Sequence, residues 1–287
     1  MARQVAEKLE VRNRYRRTLL RIREQICDLL TYPTEHEDCK KAHIHQYTLA
    51  LDKKDDDRPR FFTPYRGGHS SYVDEKLPES FAKFNPGREN HLNVQGLHLF
   101  MESYLGSMRT HEPRGIYFRE ATSTSANSLK SIITGRCLIG PYEALPHMKC
   151  MMEGGEAVGD DRLLRGEILA IIQVMAGRLN TKSVRPHVLA LVGLWIFKNF
   201  HTNITEVKTQ SGANQCPISQ VMFYSAMGPQ HIRVLEAYFN GENLVIRKTK
   251  LYDMTKYDAA TLSLLTRWWM GHAGGETKTI SRELLEE

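Results

Sequence analysis

The strongest constraint on the fold is a turn signal between two apolar segments in the C-terminal part of the sequence. The dipeptide Asn240-Gly241 separates HIRVLEAYF, residues 231–239, from LVIRKTKLY, residues 244–252. Asn-Gly between two strand-like segments favours a β-hairpin, because both residues readily adopt the positive φ angles of a tight turn. The sequence therefore predicts a hairpin at this place.

A helix and a strand are predicted upstream of the hairpin. Six apolar residues recur at the spacing of one helix face: Leu164, Ile168, Ile171, Ile172, Met175 and Leu179. Such spacing is typical of a helix that packs on a core, and Asp160 or Asp161 can cap its start. The apolar run VLALVGLWIF, residues 188–197, predicts a buried strand after this helix.

Further elements complete a mixed core around the hairpin. QVMFYSAM, residues 220–227, predicts a strand, and DAATLSLLTRWWM, residues 258–270, predicts a final helix that ends at Gly271. Residues 92–108 favour a helix, and GIYFRE at 115–120 favours a strand. We therefore expect an α/β or α+β fold in which helix, buried strands, hairpin and C-terminal helix form one core.

Changes in composition along the chain predict four regions. Residues 1–51 form a basic helical region, and residues 52–90 form a loop or linker rich in charged residues, Pro and Gly. Residues 91–275 form the α/β core domain, whose most regular part spans residues 160–271. Residues 276–287 form a polar tail.

The N-terminal region combines an apolar stripe with a cluster of arginines. Residues 4–30 favour one long amphipathic helix, which Tyr32-Pro33 ends. The first 30 residues contain eight basic and four acidic side chains, a net charge of +4. Arg12, Arg16 and Arg23 lie at spacings of four and seven, so one helix face can present all three to the phosphates of RNA. The same pattern also fits an ordinary solvated face whose apolar stripe packs on the core.

The chain has the composition of a globular protein, with 287 residues of which 41% are apolar and 25% charged. No run reaches the roughly 18 apolar residues that a membrane span needs, so no membrane partner is expected. The first residues lack the apolar core of a signal peptide, and five scattered cysteines fit a reducing compartment. We therefore expect an intracellular, cytoplasmic protein. Cys39, His43 and His45 match no standard zinc spacing, so no metal site is expected there.

The stretch TEVKTQ, residues 205–210, contains a Glu-x-Lys triplet of the kind that restriction-endonuclease-like cores use. In such cores carboxylates hold Mg²⁺, and the lysine helps to activate the attacking water. Glu206 and Lys208 would be the strand pair, and Glu167 would be the helix acid. The remaining acid is missing, because no Asp lies between residues 162 and 252. Mg²⁺ is therefore an expected cofactor only under this nuclease-like alternative.

Glu167 also stands out by its position on the predicted helix. It falls within the apolar arc, near Leu163, Ile171 and Val174, rather than on the solvent side. A carboxylate in that position costs free energy unless it is paired or binds a metal. We therefore predict that Glu167 is either functional or buried and ion-paired.

Two segments resemble a family of uncharacterised fungal proteins: RGEILAIIQVMAGRL, residues 165–179, and SAMGPQHIRVLEAYFNGENLVIRKTKLYDM, residues 225–254. The likeness rests on the MGPQH turn, the hairpin and the Gly-Glu helix start. A weaker similarity to the PD-(D/E)XK restriction-endonuclease core rests on Glu206 and Lys208. The fungal resemblance implies that residues 194–216 are an insertion, so that the Glu-x-Lys triplet is a coincidence.

Three functional hypotheses follow. The first is a small-molecule or aminoacyl-group enzyme of fungal specialised (secondary) metabolism, which could use charged transfer RNA as the arginine-containing cyclodipeptide synthases do. In that case the basic N-terminal helix would bind the transfer RNA. The second is a nuclease-like, nucleic-acid-binding protein, active or degenerate. The third is a non-catalytic protein whose N-terminal and C-terminal helices dock a partner.

Overall fold

The computed structural model describes residues 2–29, 34–53, 56–67, 77–107, 116–123, 130–137, 147–158, 160–180 and 220–274. The helices in these ranges are α1 Ala2–Cys27, α2 His36–Lys41, α3 Leu77–Ser80, α4 Asn90–Ser107, α5 Arg165–Asn180 and α6 Ala259–Met270. The strands are β1 Ile44–Thr48, β2 Phe62–Thr63, β3 Ile116–Ser123, β4 Lys130–Cys137, β5 His147–Val158, β6 Gln220–Gly228, β7 His231–Phe239, β8 Leu244–Lys248, β9 Tyr252–Asp253 and β10 His272–Ala273.

A mixed sheet forms the centre of the fold, with the strand order β1-β8-β7-β6-β5-β4-β3. The β1–β8 and β5–β6 pairs are parallel, and the other neighbours in this order are antiparallel. The short strand β9 pairs with β7, while β2 and β10 pair separately. Since helices pack against this sheet, the predicted α/β or α+β class is confirmed.

The helices cover both faces of the sheet. On one face, α1 and α5 pack over residues such as Phe223, Leu235 and Ile246. On the other face, α4 and α6 share a second apolar cluster with the opposite side of the same strands. Tyr224 shows the second contact directly: its hydroxyl donates to the Leu265 carbonyl at 2.9 Å. The result is a three-layer arrangement with an apolar core on each face of the sheet.

The hairpin predicted at Asn240-Gly241 is confirmed as the β7–β8 connection. Strand pairing extends to Phe239 and Leu244. The side-chain oxygen of Asn240 accepts hydrogen bonds from the N–H groups of Glu242 and Asn243. Gly241 has a φ of 107°, and a Cβ there would lie 2.9 Å from the Tyr15 ring. Glycine is therefore required both by the backbone angle and by the close approach of α1.

The other predicted elements have two outcomes. Six are confirmed: the long N-terminal helix as α1, the helix at 92–108 as α4, the strand at 115–120 as β3, the helix through residues 164–179 as α5, the strand at 220–227 as β6 and the final helix as α6. The predicted strand at 188–197 lies outside the described residues, as do the proposed insertion at 194–216 and the polar tail at 276–287.

A buried ion pair holds part of the predicted loop region against the second core. The Glu236 carboxylate accepts hydrogen bonds from Arg247 Nη1 at 3.0 Å and from the Arg60 and Phe61 amides at 3.1 and 2.9 Å. Arg247 also donates to the carbonyls of Arg58 and Asp56, at 2.7 and 2.6 Å. Burial raises the pKa of Glu236, although these partners favour its charged form. Residues 56–61 are thus fastened to the sheet through their backbone.

A buried lysine terminates α6. The Lys149 ammonium, on β5, donates to the carbonyls of Trp268, Trp269 and Gly271 at 2.7, 2.9 and 2.5 Å. A cation at the C-terminal end of a helix satisfies carbonyls that have no partner within the helix. Gly271 ends the helix as predicted, and a Cβ there would lie 1.9 Å from the Thr63 carbonyl oxygen. The chain therefore turns beside β2 only because this residue has no side chain.

Among the described residues, no helix combines the length and the apolarity that crossing a bilayer requires. The Cys39 thiol is buried, and desolvation raises its pKa to about 11. A thiol with such a pKa is protonated at neutral pH and packs as an apolar group rather than acting as a nucleophile.

The N-cap of α6 predicts a pH-dependent contribution to stability. The Asp258 carboxylate accepts from the Thr261 hydroxyl at 2.6 Å and from the Ala260 amide at 3.0 Å. These two bonds lower the pKa of Asp258 below the usual value of an aspartate side chain. Its stabilisation is therefore fully present above the unfolded-state pKa and is lost as the pH falls through the lower folded-state pKa.

We expect Asp258→Ala to lower the thermal unfolding midpoint at neutral pH, and to lower it much less below the folded-state pKa of this carboxyl. Asp258→Asn keeps a neutral oxygen acceptor for the Ala260 amide but cannot ionise, so it is the matched control, and its stability relative to Asp258→Ala should not change with pH in the acid range. Calorimetric scans across the acid range measure both effects. An equal loss for Asp258→Ala at every pH would contradict an ionised cap.

Candidate functional site

Glu167 lies in the first turn of α5 and closes the start of that helix. Its carboxylate Oε2 accepts a hydrogen bond from the Leu164 amide at 2.8 Å. This is the side-chain-to-backbone half of a capping box, in which the third helical residue reaches back to the residue before the helix. The expectation that Asp160 or Asp161 caps α5 is therefore wrong. Both precede the first helical residue, Arg165, by four or more positions, and the cap comes from within the helix.

A buried ion pair joins the start of α5 to the centre of the sheet. Arg233, on β7, donates from Nε and Nη2 to the two carboxylate oxygens of Glu167, at 3.1 and 2.5 Å. The side chains are 1% and 0% exposed, respectively. Arg233 Nη1 also donates to the Asp160 carbonyl at 3.0 Å. Of the two alternatives predicted for Glu167, the buried and ion-paired one is confirmed.

The alternation of β7 explains why Arg233 faces α5. Leu235 and Ala237 belong to the core beneath α1 and α5, whereas Ile232 and Val234 belong to the opposite core. Arg233 shares the parity of Leu235, so its side chain points to the α5 side of the sheet. Arg233 is not among the residues predicted from the sequence. A charged residue inside an otherwise apolar strand is the signal that could have found it, because such a charge needs a buried partner.

Exposed ion pairs hold the segment that leads into α5. Arg162 donates to Asp160 and to Glu35, both at 2.6 Å. Lys248 Nζ donates to the Asp161 carbonyl and, at 2.7 Å, to its carboxylate. Partial burial opposes ionisation of Asp160, but the hydrogen bonds from Arg162 outweigh it and lower the pKa of this carboxyl. The acids before α5 are therefore engaged with neighbouring basic side chains.

Ser225 lies beside the ion pair but forms no nucleophile–base arrangement. It is the direct cross-strand neighbour of Arg233 on β6, and it is fully buried. Within the described part of the chain, its hydroxyl has no hydrogen-bond partner. Nucleophilic catalysis needs a base in hydrogen-bond contact with the hydroxyl. Glu167 does not fill that role, because its bonds run to Arg233 and to Leu164.

The geometry around Glu167 is that of a structural anchor. Three donors occupy the carboxylate, and the guanidinium of Arg233 neutralises its charge, so a divalent cation would have to displace these partners. In the ranges that the structure covers, no group of three or more His, Cys, Asp or Glu side chains is placed to hold a metal ion. Glu206 and Lys208 lie outside the described residues. Their role with Mg²⁺ stays a prediction.

The predicted nucleic-acid-binding arginines of α1 do not share one environment. Arg16 and Arg23 are exposed, whereas Arg12 is 2% exposed and donates to the Leu179 carbonyl at 2.8 Å. The expectation that Arg12 lies on the solvent side is therefore wrong. Arg12 precedes Leu19 by seven residues, or about two helical turns, so it lies on the same buried stripe.

The remaining solvent face of α1 is strongly basic. Its exposed arginines are Arg14, Arg16, Arg17, Arg21 and Arg23. No acidic residue occurs between Val11 and Arg23, and the exposed acids Glu10, Glu24 and Asp28 lie at either end of this stretch. The described part of the chain thus presents a cluster of exposed cations on a helix that is docked against the core.

Comparisons with protein-family models, with curated proteins and with solved structures returned no match to this chain. Of the two candidate regions, the start of α5 has its carboxylate, Glu167, hydrogen-bonded within the protein. The basic face of α1 is exposed to solvent.

The Glu167–Arg233 pair predicts a large and specific loss of stability. Glu167→Gln leaves the buried guanidinium of Arg233 without its counter-charge, and we expect a loss of about 3–5 kcal/mol in the free energy of unfolding. The double variant Glu167→Leu with Arg233→Met removes both charges and should lose less than Glu167→Gln alone.

Urea unfolding of the wild-type protein and of both variants measures these differences. Glu24→Gln, which removes an exposed carboxylate on α1, is the matched control and should change the free energy of unfolding by no more than about 0.5 kcal/mol. A Glu167→Gln protein as stable as this control would show that the ion pair does not hold α5 in place.

Proposed function

We propose that this protein binds RNA through the exposed arginines of α1, and that this binding serves an enzyme of specialised metabolism that uses charged transfer RNA. The observation that supports the proposal is the uninterrupted basic face between Val11 and Arg23. Arginine donates in a planar fork that fits phosphate oxygens, and each phosphate contact releases condensed counterions. A row of arginines without intervening carboxylates is therefore suited to a polyanion.

The packing beneath α1 holds its basic face in a fixed position. Leu19, Ile22 and Ile26 are buried against the core, and Arg12 ties the helix to the C-terminal part of α5. The exposed arginines are therefore displayed on a fixed helix, so binding does not have to order the backbone that carries them.

The other two hypotheses have less support from the contacts. The nuclease-like alternative needs Glu167 as a metal ligand, but its carboxylate is already bonded to Arg233 and Leu164. A docking protein usually presents clustered apolar or aromatic side chains to its partner. In the described ranges, the large exposed apolar residues Leu9, Tyr47 and Leu99 lie on separate elements. These contacts favour the RNA hypothesis.

Replacement of Arg14, Arg17 and Arg21 by glutamine should weaken RNA binding and reduce its salt dependence. Each lost phosphate contact should lower the slope of log affinity against log salt by about 0.7–0.9. Fluorescence anisotropy with labelled transfer RNA at several salt concentrations measures both quantities.

Two controls separate an α1 site from general charge and from stability. Replacing Lys83, Arg88 and Lys256 by glutamine removes the same charge from exposed positions elsewhere and should leave the slope unchanged. Arg12→Met should lower stability but keep the affinity and slope of the folded protein, since Arg12 faces Leu179. Equal weakening by the first control and by the α1 variant would rule out a dedicated site on α1.

The enzymatic half of the proposal has its own test. We expect a host that expresses the chain to accumulate a new small-molecule product, detected by mass analysis of its metabolites. The Arg14, Arg17 and Arg21 triple variant should make less of it at equal protein level, because the transfer RNA would bind less well. If the wild-type protein and the triple variant form equal amounts of the product, the catalytic activity does not depend on the arginines of α1.

A further inference from the structure

The exposed arginines of α1 form two rows along the helix. With about 100° between successive residues, Arg14, Arg17 and Arg21 fall into one row. Arg16 and Arg23 form a second row about 140° away around the helix axis. Within the first row, Arg14 and Arg21 lie about 10 Å apart along the axis. Because both sets are exposed, the helix carries cations along two separate lines.

The same face offers no aromatic ring to a nucleic-acid base. Tyr15 is the sole aromatic residue between Val11 and Arg23, and it is 5% exposed. Its ring packs edge-on against Phe239, with the ring centroids 5.5 Å apart, and lies beside Gly241. Proteins that bind single strands use exposed rings as stacking platforms. This stretch of α1 therefore has the charge, but not the rings, of a single-strand site.

The position of α1 is fixed before any ligand binds. The helix is held by its buried apolar stripe and by the bond from Arg12 to the Leu179 carbonyl. Two fixed rows of cations match a ligand with two rows of phosphates at a regular separation. A double helix has that regularity, and paired RNA is recognised mainly through its shape, phosphates and sugar hydroxyls. A single strand offers one flexible row of phosphates.

We propose that α1 lies along a groove of double-helical RNA, with one arginine row on the phosphates of each strand and no reading of the bases. This inference rests on the proposed RNA-binding function, and it adds that the ligand is paired RNA rather than single-stranded RNA. Both rows are needed, because each contacts a different strand.

The test compares the affinity of the 287-residue chain for two labelled RNAs of equal length. One is a hairpin with a stem of about 16 base pairs, a length typical of duplex-binding domains. The other is a uridine-rich strand that cannot pair. The variants are Arg14→Gln/Arg17→Gln/Arg21→Gln for one row and Arg16→Gln/Arg23→Gln for the other. Since all five side chains are exposed, circular dichroism and thermal melts should show that both variants fold.

We expect the wild-type protein to bind the hairpin roughly tenfold more tightly than the unpaired strand, and each row variant to lose most of that preference. Equal or tighter binding of the unpaired strand would overturn the inference while leaving RNA binding by α1 intact. A loss confined to one row variant would overturn the two-strand contact. No binding of either RNA by the wild-type protein would overturn the proposed function together with this inference.

Discussion

The buried pairing of Glu167 with Arg233 is the interaction on which the arrangement of the layers depends. Arg233 lies in β7, which has sheet neighbours on both sides, and Glu167 lies in the first turn of the helix that covers this face. Two charges removed from water are tolerated only if they satisfy each other and their remaining hydrogen-bond capacity. Here the carboxylate has three donors, and the guanidinium also holds the Asp160 carbonyl. The pair therefore determines where α5 starts on the sheet.

The same strand anchors the opposite face by the same kind of contact. Glu236 is three residues beyond Arg233, so the alternation of the strand directs its side chain to the other side of the sheet. There it pairs with Arg247, and both partners hold the backbone of residues 56–61. One central strand thus positions a helix on one face and a connecting segment on the other. Apolar packing alone is less directional, because it depends mainly on buried area.

Local periodicity allowed much of this fold to be predicted, but pairings across the chain could not be. The apolar spacing of α1 and α5 and the Asn240-Gly241 turn are contained within short stretches, so these elements follow from the sequence. Glu167 and Arg233 are 66 positions apart in the sequence, and Arg247 donates to a carbonyl 191 positions away. Backbone acceptors carry no residue-specific signature. The parallel pairing of β1 with β8 is equally non-local, and so the strand order was not predictable.

The arginines of this protein differ in role because their surroundings differ, not because their side chains do. Arg233 and Arg247 face buried carboxylates, and Arg12 faces a helix carbonyl, so moving any of them toward a ligand would leave a buried polar group without its partner. The sequence alone grouped Arg12 with Arg16 and Arg23 because all three lie within a narrow sector of the helical wheel. The seven-residue interval from Arg12 to Leu19 was the contrary signal, since it places both on one stripe. The arginines outside that stripe are exposed, so they can exchange water for phosphate without leaving a buried polar group unpaired, and this requirement restricts a polyanion site on α1 to its exposed rows.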